Sequence, residues 1–139
     1  MPIDDLARSD VVTAGLETPV ADLATTMAEE SVGSIVITDG DTPVGIVTDR
    51  DLAVRVLGDG LDPGEQHAGD VMTDDLTTIE RTAGFFEAAT LMADNGIRRL
   101  PIVEGDSLVG IITADDLTEL IADEEQQLAD VIRAQRPEY

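Results

Sequence analysis

Apolar positions in this chain recur first at helical and then at strand spacing, and that order of patterns is written twice. Val20, Leu23, Ala24, Met27 and Ala28 sit three and four residues apart, as on one face of a helix. Phe85, Ala88, Ala89, Met92 and Ala93 repeat the phase. Two short aliphatic runs follow each helical stretch, residues 34–38 with 43–47 and residues 99–103 with 108–112. The DGDT and EGDS segments between them have the composition of hairpin turns. A short strand is predicted before each helix, at Val11 and Val12 and at Leu76 and Thr77, and a second helix directly after Thr48 and Thr113. Thr18 and Pro19 read as N-cap and first-turn proline of the first helix. Residues 115 to about 135 read as one longer helix with an interrupted apolar stripe, Leu117, Leu120, Ile121, Leu128, Val131 and Ile132. Such a stripe packs on its own domain or on a partner.

The doubling is a tandem duplication. At an offset of 65, residues 10–55 align with 75–120 without a gap, and 15 of the 46 positions are identical. They include Thr13 and Thr78, Met27 and Met92, Gly45 and Gly110, Thr48 and Thr113, and Asp51 and Asp116. The division that follows is a first repeat at 8–57, a linker GDGLDPGEQHAG at 58–69, a second repeat at 70–123 and a helical extension at 124–139. The fold class expected is α/β in the α+β sense, each repeat running strand, helix, strand, strand, helix.

Composition narrows the function classes. The 139 residues hold 42% apolar side chains but no Trp, one Tyr and two Phe, so the core is aliphatic. Thirty acids against eight bases, all Arg, give a formal charge of −22. Nucleic acid and anionic membrane surfaces are poor partners for such a chain. An acidic, lysine-free surface resembles that of proteins from salt-loving organisms, where concentrated salt screens like charges. Without Cys there is no disulfide, thiolate nucleophile or Cys-based metal site. MPIDDLARSD lacks the basic and apolar regions of a signal peptide, and no run is long enough to span a membrane. A soluble cytoplasmic protein is expected.

The segments GIVTDRDL (45–52) and GIITADDL (110–117) are the most specific feature. Thr followed three residues later by Asp, at a strand-to-helix junction, suits a capping box, though that box prefers Glu or Gln. The same parts suit a ligand. A helix N-terminus offers free N–H groups to an anion, a Thr hydroxyl can join them, and a carboxylate can accept from both hydroxyls of a ribose. Ile46, Val47, Ile111 and Ile112 would wall a slot for a flat base.

VGSIVITDGDTPVGIVTDRDL and GIRRLPIVEGDSLVGIITADDL, with DVMT at 70–73, resemble a tandem pair of CBS (cystathionine β-synthase) domains, a Bateman module, over about residues 10–123. The resemblance implies two repeats packed about a pseudo-twofold axis, with two clefts that take AMP, ADP, ATP or S-adenosylmethionine. It implies that Asp51 and Asp116 hold ribose, that Thr48 and Thr113 sit near phosphate or ribose, and that Thr13 and Thr78 border adenine. It also implies that Arg98 and Arg99 serve the cleft of Thr48 and Asp51, with Arg50 nearby. The opposite cleft would combine Thr113 and Asp116 with Gly33 and Ser34, beside the negative Asp115. A nucleotide phosphate is then expected to prefer the first cleft. A homodimer and an unidentified regulated protein are the expected partners, with Leu52, Val56, Leu117 and Leu120 as dimer contacts. The rival reading is a structural dimerisation module with empty clefts.

Other residues carry less. Arg98-Arg99 on its own could be a strand start with surface ion pairs. His67, the only histidine, sits in the linker without companion ligands, so no metal is expected. No nucleophile lies beside a base, so an enzyme is not expected.

Overall fold

The computed structural model describes residues 3–135. Each repeat builds one three-stranded sheet. In the first, β1 (Thr13–Gly15) leads through α1 (Val20–Glu30) to a parallel partner, β2 (Ser34–Asp39), which pairs antiparallel with β3 (Thr42–Thr48). In the second, β4 (Ile79–Glu80), β5 (Arg99–Glu104) and β6 (Ser107–Thr113) take the same places, with α4 (Phe85–Asn95) as the crossover. Both hairpins close through two residues with Gly first, Gly40 at φ +63° and Gly105 at φ +62°. Both sheets also shift register at the same place, between Ile37 and Thr38 and between Ile102 and Val103.

The repeats diverge after the third strand. β3 passes into a short α2 (Asp49–Asp51) that widens to a π-helical turn over Leu52–Leu57. There the Gly58 N–H donates to the Ala53 carbonyl, five residues back, at 2.8 Å. β6 passes instead into α5 (Ala114–Gln135), a helix of 22 residues.

Two expectations about local structure need correction. The first strands lie later than Val11–Val12 and Leu76–Thr77, because parallel pairing fixes Thr13 opposite Val36 and Ile79 opposite Ile102. Thr18 does not cap α1. Pro19 holds the cap position and makes no side-chain bond. The free N–H groups of Val20 and Ala21 donate instead to linker carbonyls, Gln66 at 2.8 Å and Pro63 at 3.1 Å. The Thr18 carbonyl accepts the N–H of Ala68 at 2.8 Å.

Each repeat carries a short leader, and the leaders are exchanged. A 3-10 turn at Ile3–Asp5 precedes the first repeat, and α3 (Ala68–Val71) precedes the second. Ile3 is fully buried among Ile79, Ala88, Leu100 and Ile112 of the second repeat. Ala68 and Val71 are buried among Leu23, Ile35, Val47 and Val56 of the first. Arg8 then bridges antiparallel to Ile111, as Thr73 does to Ile46. Arg81 ties down the first leader by holding Asp4 and Glu104, each at 2.9 Å. Those bonds, Asp4 first and then Glu104, raise its pKa above the ordinary guanidinium value.

The crossing explains the glycine that leads each octapeptide. A Cβ on Gly110 would come 3.0 Å from the Arg8 carbonyl oxygen. A Cβ on Gly45 would meet Met72 and come 3.0 Å from the Thr73 carbonyl oxygen. The leader backbone lies where any side chain would stand.

Candidate functional site

The Thr-x-x-Asp motifs form capping boxes in both repeats. The Thr48 N–H donates to Asp51 Oδ2 at 2.9 Å, and the Asp51 N–H donates to Thr48 Oγ1 at 3.2 Å. Thr113 and Asp116 repeat this at 2.9 and 3.2 Å. Capping and ligand binding need not compete, because each box occupies only one carboxylate oxygen. The other, Oδ1, is set differently in the two repeats. Asp51 Oδ1 stands 3.7 Å from Arg55 Nε, one turn along its own helix. Asp116 Oδ1 accepts from Arg8 Nη2 at 3.3 Å, across the leader exchange.

A cavity of ≈ 370 Å³ opens between the repeats at the N-terminus of α5. That is within the range of small-molecule sites, about 300–1,000 Å³. Val11, Val12 and Ile111 supply apolar wall, and Gly33, Ser34, Thr113, Arg8 and Arg99 supply the polar side. It therefore brings Thr113 of one repeat to Gly33 and Ser34 of the other. Asp116 lies behind it, nine-tenths buried, bonded to the Thr113 and Arg8 that line it.

The arginines differ from the expected grouping around Thr48. Arg98 turns outward and pairs with Asp115 at 3.1 Å, which balances that acid. Arg99 lines the Thr113 cavity, and its Nη2 lies over Gly33, where a Cβ would come within 3.3 Å of it and 3.2 Å of Asp49 Oδ2. Arg99 makes no ion pair among the described residues. Arg50 is exposed, and its backbone N–H donates to Asp49 Oδ1 at 2.8 Å. Thr13 is an exposed position of β1, and Thr78 is half-buried just before β4.

Sequence reasoning missed Arg8. Carrying the offset of 65 seven residues further would have aligned Ile3 and Leu6 with Ala68 and Val71, and Arg8 with Thr73. Across 3–9 only Asp5 and Asp70 are identical, so the signal is one of apolar spacing alone. Among the described residues, no three His, Cys, Asp or Glu side chains gather as a metal site, and no helix is long and apolar enough to cross a membrane.

Comparison with known proteins agrees with this architecture. The CBS domain model matches residues 3–58 and again 68–123. An uncharacterised protein of Methanopyrus kandleri is 39% identical over 120 residues, covering 85% of this chain; the chain spans 61% of that relative's length. The CBS domain-containing protein YhcV of Bacillus subtilis is 33% identical over 115 residues, 83% of this chain and 81% of the relative. A putative signal-transduction protein with CBS domains from Burkholderia ambifaria superposes with a TM-score of 0.74 at 28% identity, covering 94% of this chain and 88% of that one. The CBS domain pair of protein MJ0100, solved with 5′-methylthioadenosine and S-adenosyl-L-methionine, gives 0.78 at 22% identity over 87% of this chain and 99% of that one, a likeness of fold. With two in-register matches and the exchanged leaders that join them, the chain belongs to the CBS domain family as a tandem pair, a regulatory module.

Proposed function

We propose that this CBS pair binds an adenosine compound, AMP, ADP, ATP or S-adenosylmethionine, and reports its presence to another protein without catalysing a reaction. The observation that carries the reading is the cavity between the repeats, where Thr113 and the helix N-terminus of α5 meet a wall of Val11, Val12 and Ile111. A flat base fits the aliphatic wall. A ribose diol fits the carboxylate of Asp116, and an anionic group fits the guanidinium of Arg99. In the other cleft, Asp51 has an Oδ1 without a hydrogen bond among the described residues, which suits a second ribose. Thr48 and Arg50 are the remaining candidates there, while Thr13 in β1 and Thr78 before β4 are candidates to border a base. Because the leaders join the repeats, a ligand between them favours one placement of the pair, and a partner reads that placement. Calorimetry with AMP, ATP, S-adenosylmethionine and adenosine in concentrated salt tests this. Binding of at least one at micromolar affinity supports it, and silence with all four overturns it.

A homodimer is part of the proposal, with different contacts from those expected. Val56 and Leu117 are buried in the cores of their own repeats, Leu120 is buried too, and Leu52 packs against the first core. The outward apolar side chains are Val54, Leu57, Phe86, Ile121, Leu128, Val131 and Ile132. The stripe Leu128, Val131 and Ile132 near the end of α5 favours the second reading, a dimerisation module whose clefts stay empty. Light scattering in high salt separates monomer from dimer: a species of only 14.7 kDa removes the dimer from both readings.

A further inference from the structure

The geometry points to Arg8 as a cation that changes partner when the cavity fills: it holds Asp116 in the free protein and passes to an anionic group of the bound ligand. The inference rests on the nucleoside reading of the cavity and names the ligand class that this cleft prefers, a nucleoside phosphate over the uncharged nucleoside.

Three placements carry it. Asp116 has one carboxylate oxygen committed to the Thr113 N–H at 2.9 Å, so Oδ1 is the oxygen left for a diol. Oδ1 accepts from Arg8 Nη2 at 3.3 Å, and Arg8 lines the same cavity. The Arg8 side chain is 65% exposed while Asp116 is 9% exposed, and their contact is long at 3.3 Å, so the guanidinium can swing off the carboxylate without leaving water. The Arg8 backbone is fixed, exchanging two hydrogen bonds with Ile111 at 3.1 and 3.0 Å. A displaced guanidinium therefore stays at the cavity mouth.

Charge completes the picture. On a chain of formal charge −22 with eight arginines, Arg8 and Arg99 both line this cavity, and Arg98 clasps Asp115 at its rim. Asp10, Glu30 and the Arg98-paired Asp115, also in the lining, oppose an anion, so the two guanidinium groups are needed for one to enter. A diol that takes Asp116 Oδ1 releases Arg8, and a phosphate on the same ligand then engages it. An uncharged nucleoside displaces Arg8 with nothing to offer it. The first repeat has Thr73 at the place of Arg8, so the cleft of Asp51 lacks this device.

The test is a calorimetric titration of wild type, Arg8→Ala and Arg8→Lys with AMP and with adenosine, at one high salt concentration. Wild type is expected to prefer AMP over adenosine. Arg8→Ala is expected to bind adenosine more tightly, because Asp116 is freed, and AMP more weakly. The AMP-to-adenosine ratio should then fall by about tenfold or more, the worth of one charge-assisted hydrogen bond. Arg8→Lys should keep part of the ratio, since it keeps the charge without the planar fork. If wild type binds AMP and the ratio is unchanged in Arg8→Ala, the role of Arg8 is wrong and the nucleoside reading stands. If both ligands tighten equally in Arg8→Ala, Arg8 only obstructs the site and the hand-over is wrong. If wild type binds neither ligand, the hand-over is wrong, and the nucleoside reading falls with it only when ATP and S-adenosylmethionine are silent as well.

Discussion

The amide of Arg8 donates to the carbonyl of Ile111 at 3.1 Å, and the amide of Ile111 donates back at 3.0 Å. Residues at the first leader's end and in the last strand are thus joined as one rung of a ladder. The same rung recurs between Thr73 and Ile46, at 2.9 and 3.1 Å. Each core is therefore finished by the other repeat.

The first expectation follows from the buried end of the leader. Ile3→Ala should destabilise the chain by about 2–5 kcal/mol, the cost of deleting a fully enclosed aliphatic side chain. Urea unfolding followed by circular dichroism measures it. A loss under half a kcal/mol would mean that the leader is not docked as described.

Glycine at the crossing provides a second. Gly110→Ala places a methyl group against the Arg8 carbonyl oxygen at 3.0 Å, at a cost of about 1–3 kcal/mol. Gly15→Ala, also in a strand, meets nothing within 4 Å and should be nearly neutral. Equal costs for the two variants would show that the leader does not select the glycine.

For the motif acids, Asp51→Ala removes the acceptor of the Thr48 N–H, which should cost about 1 kcal/mol of stability. Its effect on nucleotide affinity should be larger than tenfold if Asp51 Oδ1 holds a ribose. Parallel thermal melts and titrations decide the matter. A large loss of melting temperature with unchanged affinity would leave the motif as a cap alone.

Net charge leads to an expectation about salt. Thirty acids on 139 residues repel one another, and molar KCl shortens the screening length to about 3 Å. The melting temperature should therefore rise steadily from 0.1 M to 2 M KCl. A flat profile would show that the acids are too well spread to strain the fold.

The hairpin strands were legible because their signals are local, whereas β1 and β4, placed by parallel pairing with a distant strand, were set two or three residues too early. The runs at 34–38 and 43–47 are found as Ser34–Asp39 and Thr42–Thr48, since β-branched residues and a Gly-first turn determine both. The start of α5 directly after Thr113 was legible for the same reason. The leaders were not. A segment of six residues, anchored by Ile3 in a core more than 70 positions away, shows no periodicity of its own. The capping of α1 by Pro63 and Gln66 was equally hidden, because backbone carbonyls carry no residue signature and Thr18 offered a plausible local substitute. In the site, the duplicated Thr and Asp could be read directly. The partner of Asp116 Oδ1 could not, since it arrives by the leader exchange.

That exchange also bears on mass action. A single repeat made alone would leave an uncovered slot where Ile3 or Ala68 belongs, and its own leader would have nowhere to dock. Two separate repeats could satisfy each other only by a bimolecular encounter, with a yield set by dilution. The segment 59–67 between the two family matches, pinned to α1 through Pro63 and Gln66, keeps the second leader at an effective concentration that tethering typically raises to about millimolar. Completing both cores thereby becomes an event within one chain, which needs no encounter between two molecules.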